Sequence, residues 1–200
     1  KAAIKIAVDM VREKLISNGI DANDHSGFGV SNAGDVNGDG IDDVIIGARF
    51  GDTNGTDSGE AYVVFGGTAA FSATIEFSTL NGSNGFTING IDAYDQMSAI
   101  SLSAGDFNGD GVDDLLLSAR LGDTNGADAG EAYVVFGNTA GFNSTIELSA
   151  LNGSDGFVLN GIDAGDQAGL SLSNTGDLNG DGIDDIAIGA RVADPNGTDS

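Results

Sequence analysis

Asp35-Val36-Asn37-Gly38-Asp39-Gly40-Ile41-Asp42-Asp43 decides how this chain is read, because the stretch occurs three times. The other copies are Asp106-Phe107-Asn108-Gly109-Asp110-Gly111-Val112-Asp113-Asp114 and Asp177-Leu178-Asn179-Gly180-Asp181-Gly182-Ile183-Asp184-Asp185. Each begins 71 residues after the one before, with no insertion. A fixed period of this kind means that one structural unit is built repeatedly in series.

The residue types carry their own chemistry. Oxygen-bearing side chains at positions 1, 3, 5 and 9, separated by small residues, can wrap a chain around a hard cation, and position 7 can add its backbone carbonyl. The predicted ligands are Asp35, Asn37, Asp39, the Ile41 carbonyl and Asp43 in the first copy. Those of the second are Asp106, Asn108, Asp110, the Val112 carbonyl and Asp114; those of the third are Asp177, Asn179, Asp181, the Ile183 carbonyl and Asp185. Three carboxylates and an amide, without His or Cys, favour Ca²⁺ over zinc or copper, giving about three Ca²⁺ sites. An EF-hand begins in the same way but needs Glu at position 12, where this chain has Ile46, Leu117 and Ile188. A dockerin-like loop needs a late acidic ligand and a following helix, and here a β-type apolar run follows. A plain polar turn of Asp, Asn and Gly is the remaining alternative. Against it stands the mutual repulsion of three carboxylates within nine residues, which a cation would neutralise.

Working outward, Phe28-Gly29-Val30-Ser31 alternates apolar and small residues ahead of the loop, as a half-buried strand does. Val44 to Ala48 follows it, a short continuous apolar run that predicts a strand covered on both faces. The loop is therefore a hairpin connection. Gly59-Glu60-Ala61-Tyr62-Val63-Val64-Phe65 reads as a third strand and Phe86 to Asn89 as a fourth, with copies at 130–136 and 157–160. Between the second and third strands, Asp52, Asn54 and Asp57, like Asp123, Asn125 and Asp128, form either a polar turn or a second cation site. Four short antiparallel strands per unit, repeated in series, predict an all-β fold: β-propeller blades, with two full units and partial ones at either end.

The unit boundaries fall at 20–91, 92–162 and 163–200, preceded by an N-terminal segment 1–19. That segment supports two readings. Ile4, Val8, Val11 and Leu15 share a helical face, which predicts a short amphipathic helix; yet Asn18-Gly19-Ile20-Asp21-Ala22 recurs at 89 and 160, which predicts the divergent end of a repeat. Two complete blades and a partial one fall short of the usual ring of 4 to 8. The expectation is a segment of a larger protein, or one that other subunits complete.

Composition sets limits. Against 31 Asp and Glu there are only 7 Lys and Arg, a formal net charge of −24. Nucleic acid and anionic membrane surfaces both call for basic patches and are not expected partners. No apolar run reaches the ~18 residues of a membrane span. With no Cys, neither disulfides nor thiol chemistry hold the fold. His25 is the single His, and its repeat equivalents are Gln96 and Gln167, so no catalytic triad or His metal site recurs. No enzyme activity is expected.

These residues resemble the FG-GAP repeat of the integrin α-chain β-propeller and its bacterial extracellular relatives, over about residues 20–200. Phe28-Gly29 stands where that family has its Phe-Gly, the three loops where it binds Ca²⁺, and Gly47-Ala48-Arg49 where it has Gly-Ala-Pro. Copies two and three depart from it with Ala99-Ile100 and Leu170-Ser171, and Arg49, Arg120 and Arg191 replace the Pro. Each Arg is expected to pair with nearby Asp side chains. The resemblance implies a calcium-binding structural or adhesion module of a larger extracellular or cell-surface protein, with a protein or glycan surface ligand. The alternatives are a carbohydrate-binding propeller, for which Tyr94 is the single loop aromatic without a repeat equivalent, and a non-catalytic accessory domain of a secreted enzyme.

Overall fold

The structure is a computed structural model that describes residues 3–6, 15–18, 20–69, 74–98 and 102–193. Fourteen strands and two single turns of 3-10 helix make up its regular structure. Strands β1 (Ala3–Ile6) and β2 (Leu15–Asn18) pair antiparallel, so the described parts of the N-terminal segment are strand. The helical face predicted there rests partly on Val8 and Val11, which lie outside the described residues.

The first full unit comprises β3 (Ser26–Gly34), β4 (Asp43–Ala48), β5 (Glu60–Val64), β6 (Thr74–Glu76) and β7 (Gly85–Asn89). The second comprises β8 (Leu102–Gly105), β9 (Asp114–Ala119), β10 (Glu131–Val135), β11 (Thr145–Glu147) and β12 (Gly156–Asn160). The third shows β13 (Ala168–Asn174) and β14 (Ile186–Ala190), paired antiparallel. In the first two units the first, second, third and last strands pair antiparallel in chain order, which is a propeller blade. The first strands β3, β8 and β13 lie beside one another, so the blades share an inner edge.

Burial explains the apolar runs. Every residue of β5, β9 and β10 is buried, because each blade is covered on both faces. Ile45, Ala61, Val63, Phe86 and Ile88 of the first blade pack against Leu115, Leu117, Tyr133 and Val135 of the second. The opposite face of the first blade buries Ile46, Tyr62, Val64 and Phe77, with the Tyr62 and Phe77 rings stacked 4.3 Å apart. The first strand differs from its predicted alternation: Phe28 and Val30 are both about half exposed. Gly29 sits inside instead, its position for a Cβ lying 3.3 Å from Leu102, because the inner strands approach too closely there for a larger residue. The register of β3 slips between Ser26 and Gly29 and again between Asn32 and Gly34.

In each of the two full units one strand does not belong to its own blade. The three residues of β6 pair parallel with β2, and those of β11 pair parallel with β7, the outer strand of the preceding blade. A 3-10 turn after each, Phe77–Thr79 and Leu148–Ala150, buries its first residue and returns the chain to its own sheet. Neighbouring blades are thus stitched together at their outer edges.

Candidate metal centre

Each acidic nonapeptide forms the turn between the first and second strands of its unit. Gly38 and Gly40 take φ of 72° and 86°, and the equivalent glycines of the other loops behave alike. These are left-handed conformations that a side chain would strain. Within the first loop Asp35 accepts N–H bonds from Asp39 at 2.9 Å and Gly40 at 2.7 Å. Asn37 accepts from the same Asp39 N–H at 2.9 Å, so the Asp35 and Asn37 oxygens are near neighbours, and Asp39 accepts from Ile41 at 2.9 Å. The second and third loops repeat this pattern through Asp106, Asn108 and Asp110, and through Asp177, Asn179 and Asp181. The carboxylates therefore turn towards the backbone of their own loop. Among the described residues no three acidic or His side chains are gathered at one point.

The last carboxylate of the loop has a separate environment. Asp43 is fully buried and accepts N–H bonds from Val36 at 3.1 Å and from Gly66, just past β5, at 2.7 Å. Burial pushes its carboxyl up to about 7; the Gly66 and Val36 amides pull it back, and the Asp39 and Asp35 charges raise it further. Asp114 repeats this with Phe107 and Gly137, both at 2.8 Å, and is also pushed up to about 7. Ionised, the buried Asp43 and Asp114 would each face like charges on their own loops, Asp39 and Asp35 or Asp110 and Asp106, which is the condition a divalent cation relieves. The donors are all hard oxygens, and the set fits Ca²⁺ chemically.

The loops touch in series. The Asp35 N–H donates to the Asp113 carboxylate at 2.8 Å, and the Asp184 N–H donates to the Asp106 carbonyl at 3.0 Å. All three lie in one row at one end of the blades.

At the other end, the 52–57 turn is tied into the protein. Asp52 accepts the Asp57 N–H at 2.8 Å, and Asn54 donates to the Gly90 carbonyl and the Glu147 carboxylate, both at 2.8 Å. Buried Glu60 accepts from Thr53 and from the Tyr62 hydroxyl. Of the three side chains in the alternative cation site, Asp52 and Asn54 take part in these bonds. His25, Gln96 and Gln167 share φ of 54°, 53° and 54°, so this position serves the turn whatever its side chain. Tyr94 is exposed on the neighbouring loop.

Two arginines differ from expectation. Among the described residues Arg49 pairs with no Asp; its guanidinium lies over the Phe28 ring at 4.0 Å and the Phe50 ring at 4.2 Å. Arg120 reaches Gln96 at 3.5 Å. The exposed Phe28 supplies a flat π-face, and a planar cation stacks there readily.

This arrangement of serial four-stranded blades, each opening on an acidic hairpin loop, defines a β-propeller repeat protein. The FG-GAP repeat matches residues 26–64, 98–135 and 168–200, more than half of the sequence, and the chain belongs to that family. It is 27% identical to integrin alpha-4 of Xenopus laevis over 164 residues, which is 81% of this chain and 14% of that one. It is 36% identical to integrin alpha-8 of Mus musculus over 93 residues, 44% of this chain and 8% of the other. Integrin alpha-5 of Xenopus laevis is 34% identical over 95 residues, 45% of this chain and 8% of its own length. The chain thus spans a small fraction of the length of these relatives.

Proposed function

We propose that this chain is a Ca²⁺-stabilised, non-catalytic propeller segment that serves protein interaction or adhesion at an extracellular or cell surface. The observation that supports it most is the row of three hard-oxygen loops, two of them closed by a buried carboxylate whose nearest charges are of its own sign. Asp35, Asn37, Asp39, Asp43 and the Ile41 carbonyl would hold the ion in the first loop, and their repeat equivalents in the others. The ion would supply the countercharge and tie both ends of each hairpin together, adding its binding free energy to folding. An affinity near the range of extracellular modules, ~10⁻⁴ to 10⁻³ M, would leave such sites filled outside cells and largely empty in cytosol. The integrin α relatives support the adhesion reading, and the family's bacterial extracellular branch is the proposed setting.

Calorimetric Ca²⁺ titration of chelator-treated protein, with thermal melting in parallel, tests this. About three sites and a rise in melting temperature are expected, with one site fewer in Asp39→Ala. Absence of binding with an unchanged melt would reduce the loops to turns and remove the functional reading with them.

A further inference from the structure

The first two acidic loops are bonded to one another as well as to themselves. The Asp35 N–H donates to the Asp113 carboxylate at 2.8 Å, and the Asp113 N–H donates back to the Asp35 carbonyl at 3.4 Å. Asp35 is the first candidate ligand of its loop, and Asp113 directly precedes Asp114, the last candidate ligand of the next. The backbone half of this contact recurs 71 residues on, where the Asp184 N–H donates to the Asp106 carbonyl at 3.0 Å.

A second path runs through Gly137 and Asn138. The Asn138 N–H donates to the Val36 carbonyl at 2.9 Å, and the N–H of the same Val36 donates to Asp43 at 3.1 Å. On the other side the Gly137 N–H donates to Asp114 at 2.8 Å. Val36 and the dipeptide Gly137-Asn138 thus connect the last carboxylate of loop one to the last carboxylate of loop two. The fit is tight: a Cβ on Gly137 would collide with the Asp113 carbonyl and stand 3.0 Å from that of Val36, and one on Gly38 would collide with the Thr139 methyl. Residues 137–139 therefore lie against both loops at once.

We propose that the first and second loops bind Ca²⁺ cooperatively, an ion in one raising the affinity of the other through Asp113 and the Gly137-Asn138 bridge. This rests on the calcium reading above and adds its regulation. The physical basis is shared ordering: the first ion fixes the backbone of Val36, Gly137 and Asn138, so the second meets a terminal carboxylate whose partners are already held. Repulsion between the two ions works the other way. Salt weakens it, since the screening length is ~8 Å at physiological strength, and the Asp113 carboxylate between the loops offsets it further, whereas a hydrogen-bonded contact is not screened. The coupling is reciprocal, each ion changing the other's affinity by the same factor. Linked loops fill over a narrower range of Ca²⁺ than independent ones, which makes the stability of the segment a sharper function of the surrounding ion.

The test titrates ¹⁵N-labelled full chain, freed of metal by chelator, with Ca²⁺ alone in physiological salt. Each loop is followed by its own amides, Gly40 and Ile41 for the first and Gly111 and Val112 for the second, all of which donate to candidate ligands. Asp39→Ala, at an exposed position, disables the first loop without touching the bridge. The second loop's midpoint is expected to move to higher Ca²⁺ by about fivefold or more, and Asp110→Ala to move the first loop's likewise. Asp42→Ala takes the same charge from the first loop but no candidate ligand, and should leave the second midpoint in place. Asp113→Ala is expected to shrink both shifts, and Asp113→Asn, which keeps an oxygen for the Asp35 amide, to restore them in part. An unmoved midpoint in Asp39→Ala, a move to lower Ca²⁺, an equal move in Asp42→Ala, or shifts undiminished in Asp113→Ala would each overturn the proposal. Loops that respond to Ca²⁺ independently sink the coupling alone; loops that do not respond at all sink the calcium reading with it.

Discussion

The first two acidic loops and the third share a sequence but differ in what closes them. Asp43 and Asp114 are fully buried, each gripped by an amide of its own loop and by another, Gly66 or Gly137, that arrives at the end of the third strand. Asp185 is only half-buried; it accepts from Leu178 at 2.7 Å and from Asn179 at 3.4 Å, and no third-strand amide reaches it among the described residues. The loop sequence therefore sets its own turns, while the electrostatics of its last carboxylate are set by a strand some 23 residues further on. Among the described residues the motif forms a buried brace where a third-strand amide reaches its last carboxylate, and that carboxylate is half-buried where none does.

The largest expected effect breaks that brace. In chelator, Asp114→Ala leaves the part-buried Phe107 and Gly137 amides without their acceptor, and each such orphan costs ~1–3 kcal/mol, so ~2–6 kcal/mol in all. Asp185→Ala, at a half-exposed site, is expected to cost under ~1 kcal/mol by the same reasoning. Denaturant unfolding of the two variants checks this; equal losses would mean that the third strand contributes nothing to the brace.

A smaller effect sharpens the comparison at the strand–loop junction. Gly34 and Gly176 hold φ of 66° and 67°, but a Cβ on Gly34 would collide with the Asp113 carboxylate, while one on Gly176 meets nothing within 4 Å among the described residues. Gly176→Ala should therefore cost only left-handed strain, ~1–2 kcal/mol. Gly34→Ala should cost more, and should also break the Asp35 to Asp113 bond that links loops one and two. Melting temperatures of the pair, with Ca²⁺ titration of Gly34→Ala, give the contrast.

The opposite end of the blades supplies a pH test. Burial, then the charges of Glu131, Asp123 and Asp92, push the Asp95 carboxyl up to about 7, with the Asp92 amide pulling the other way. Its folded pKa lies above the unfolded value of ~3.9, so the folded state binds the proton more tightly. The stability this gives is fully present below pH ~4 and is lost as pH rises to about 7. Asp95→Asn keeps the neutral form and should flatten that fall. Melting curves of variant and parent across this window would show parallel slopes if the shift were absent.

Strands β4, β5 and β7, their copies, and the hairpin placement of the acidic loops were all legible in the sequence. Period and apolar runs report local structure on a doubly covered sheet. The stitching strands were not, because Thr74–Glu76 and Thr145–Glu147 are three residues long and pair in parallel with a strand of another unit. Only the recurrence of Thr-Ile-Glu at the repeat spacing signals them. The helical face of residues 4–15 competed with that same register, and Leu15–Asn18 takes the outer-strand place the register assigns. The candidate site was legible as a donor list, but not in the burial of Asp43 and Asp114, which depends on Gly66 and Gly137. Nor could sequence show that Phe28 would lie outside, since only the crowding of Gly29 against Leu102 decides which of the pair turns inward.

The smallest expected effect concerns the arginine that each repeat carries after its second strand. Arg49 lies over two rings, Phe28 and Phe50, whereas the residues at those repeat positions beside Arg191 are Leu170 and Val192. A cation held over an exposed aromatic face contributes ~0.5–1 kcal/mol. Arg49→Ala should therefore lower stability by about that amount, and Arg49→Lys should recover part of it, because an ammonium keeps the charge but not the planar stack. Arg191→Ala, with no ring in either place, should leave unfolding unchanged. If Arg49→Ala and Arg191→Ala have equal effects, the aromatic pair is irrelevant, and the arginine contributes only by offsetting the chain's surplus of negative charge. Raising the salt concentration separates the two, since screening weakens a diffuse charge effect and largely spares a stacked contact at 4.0 Å.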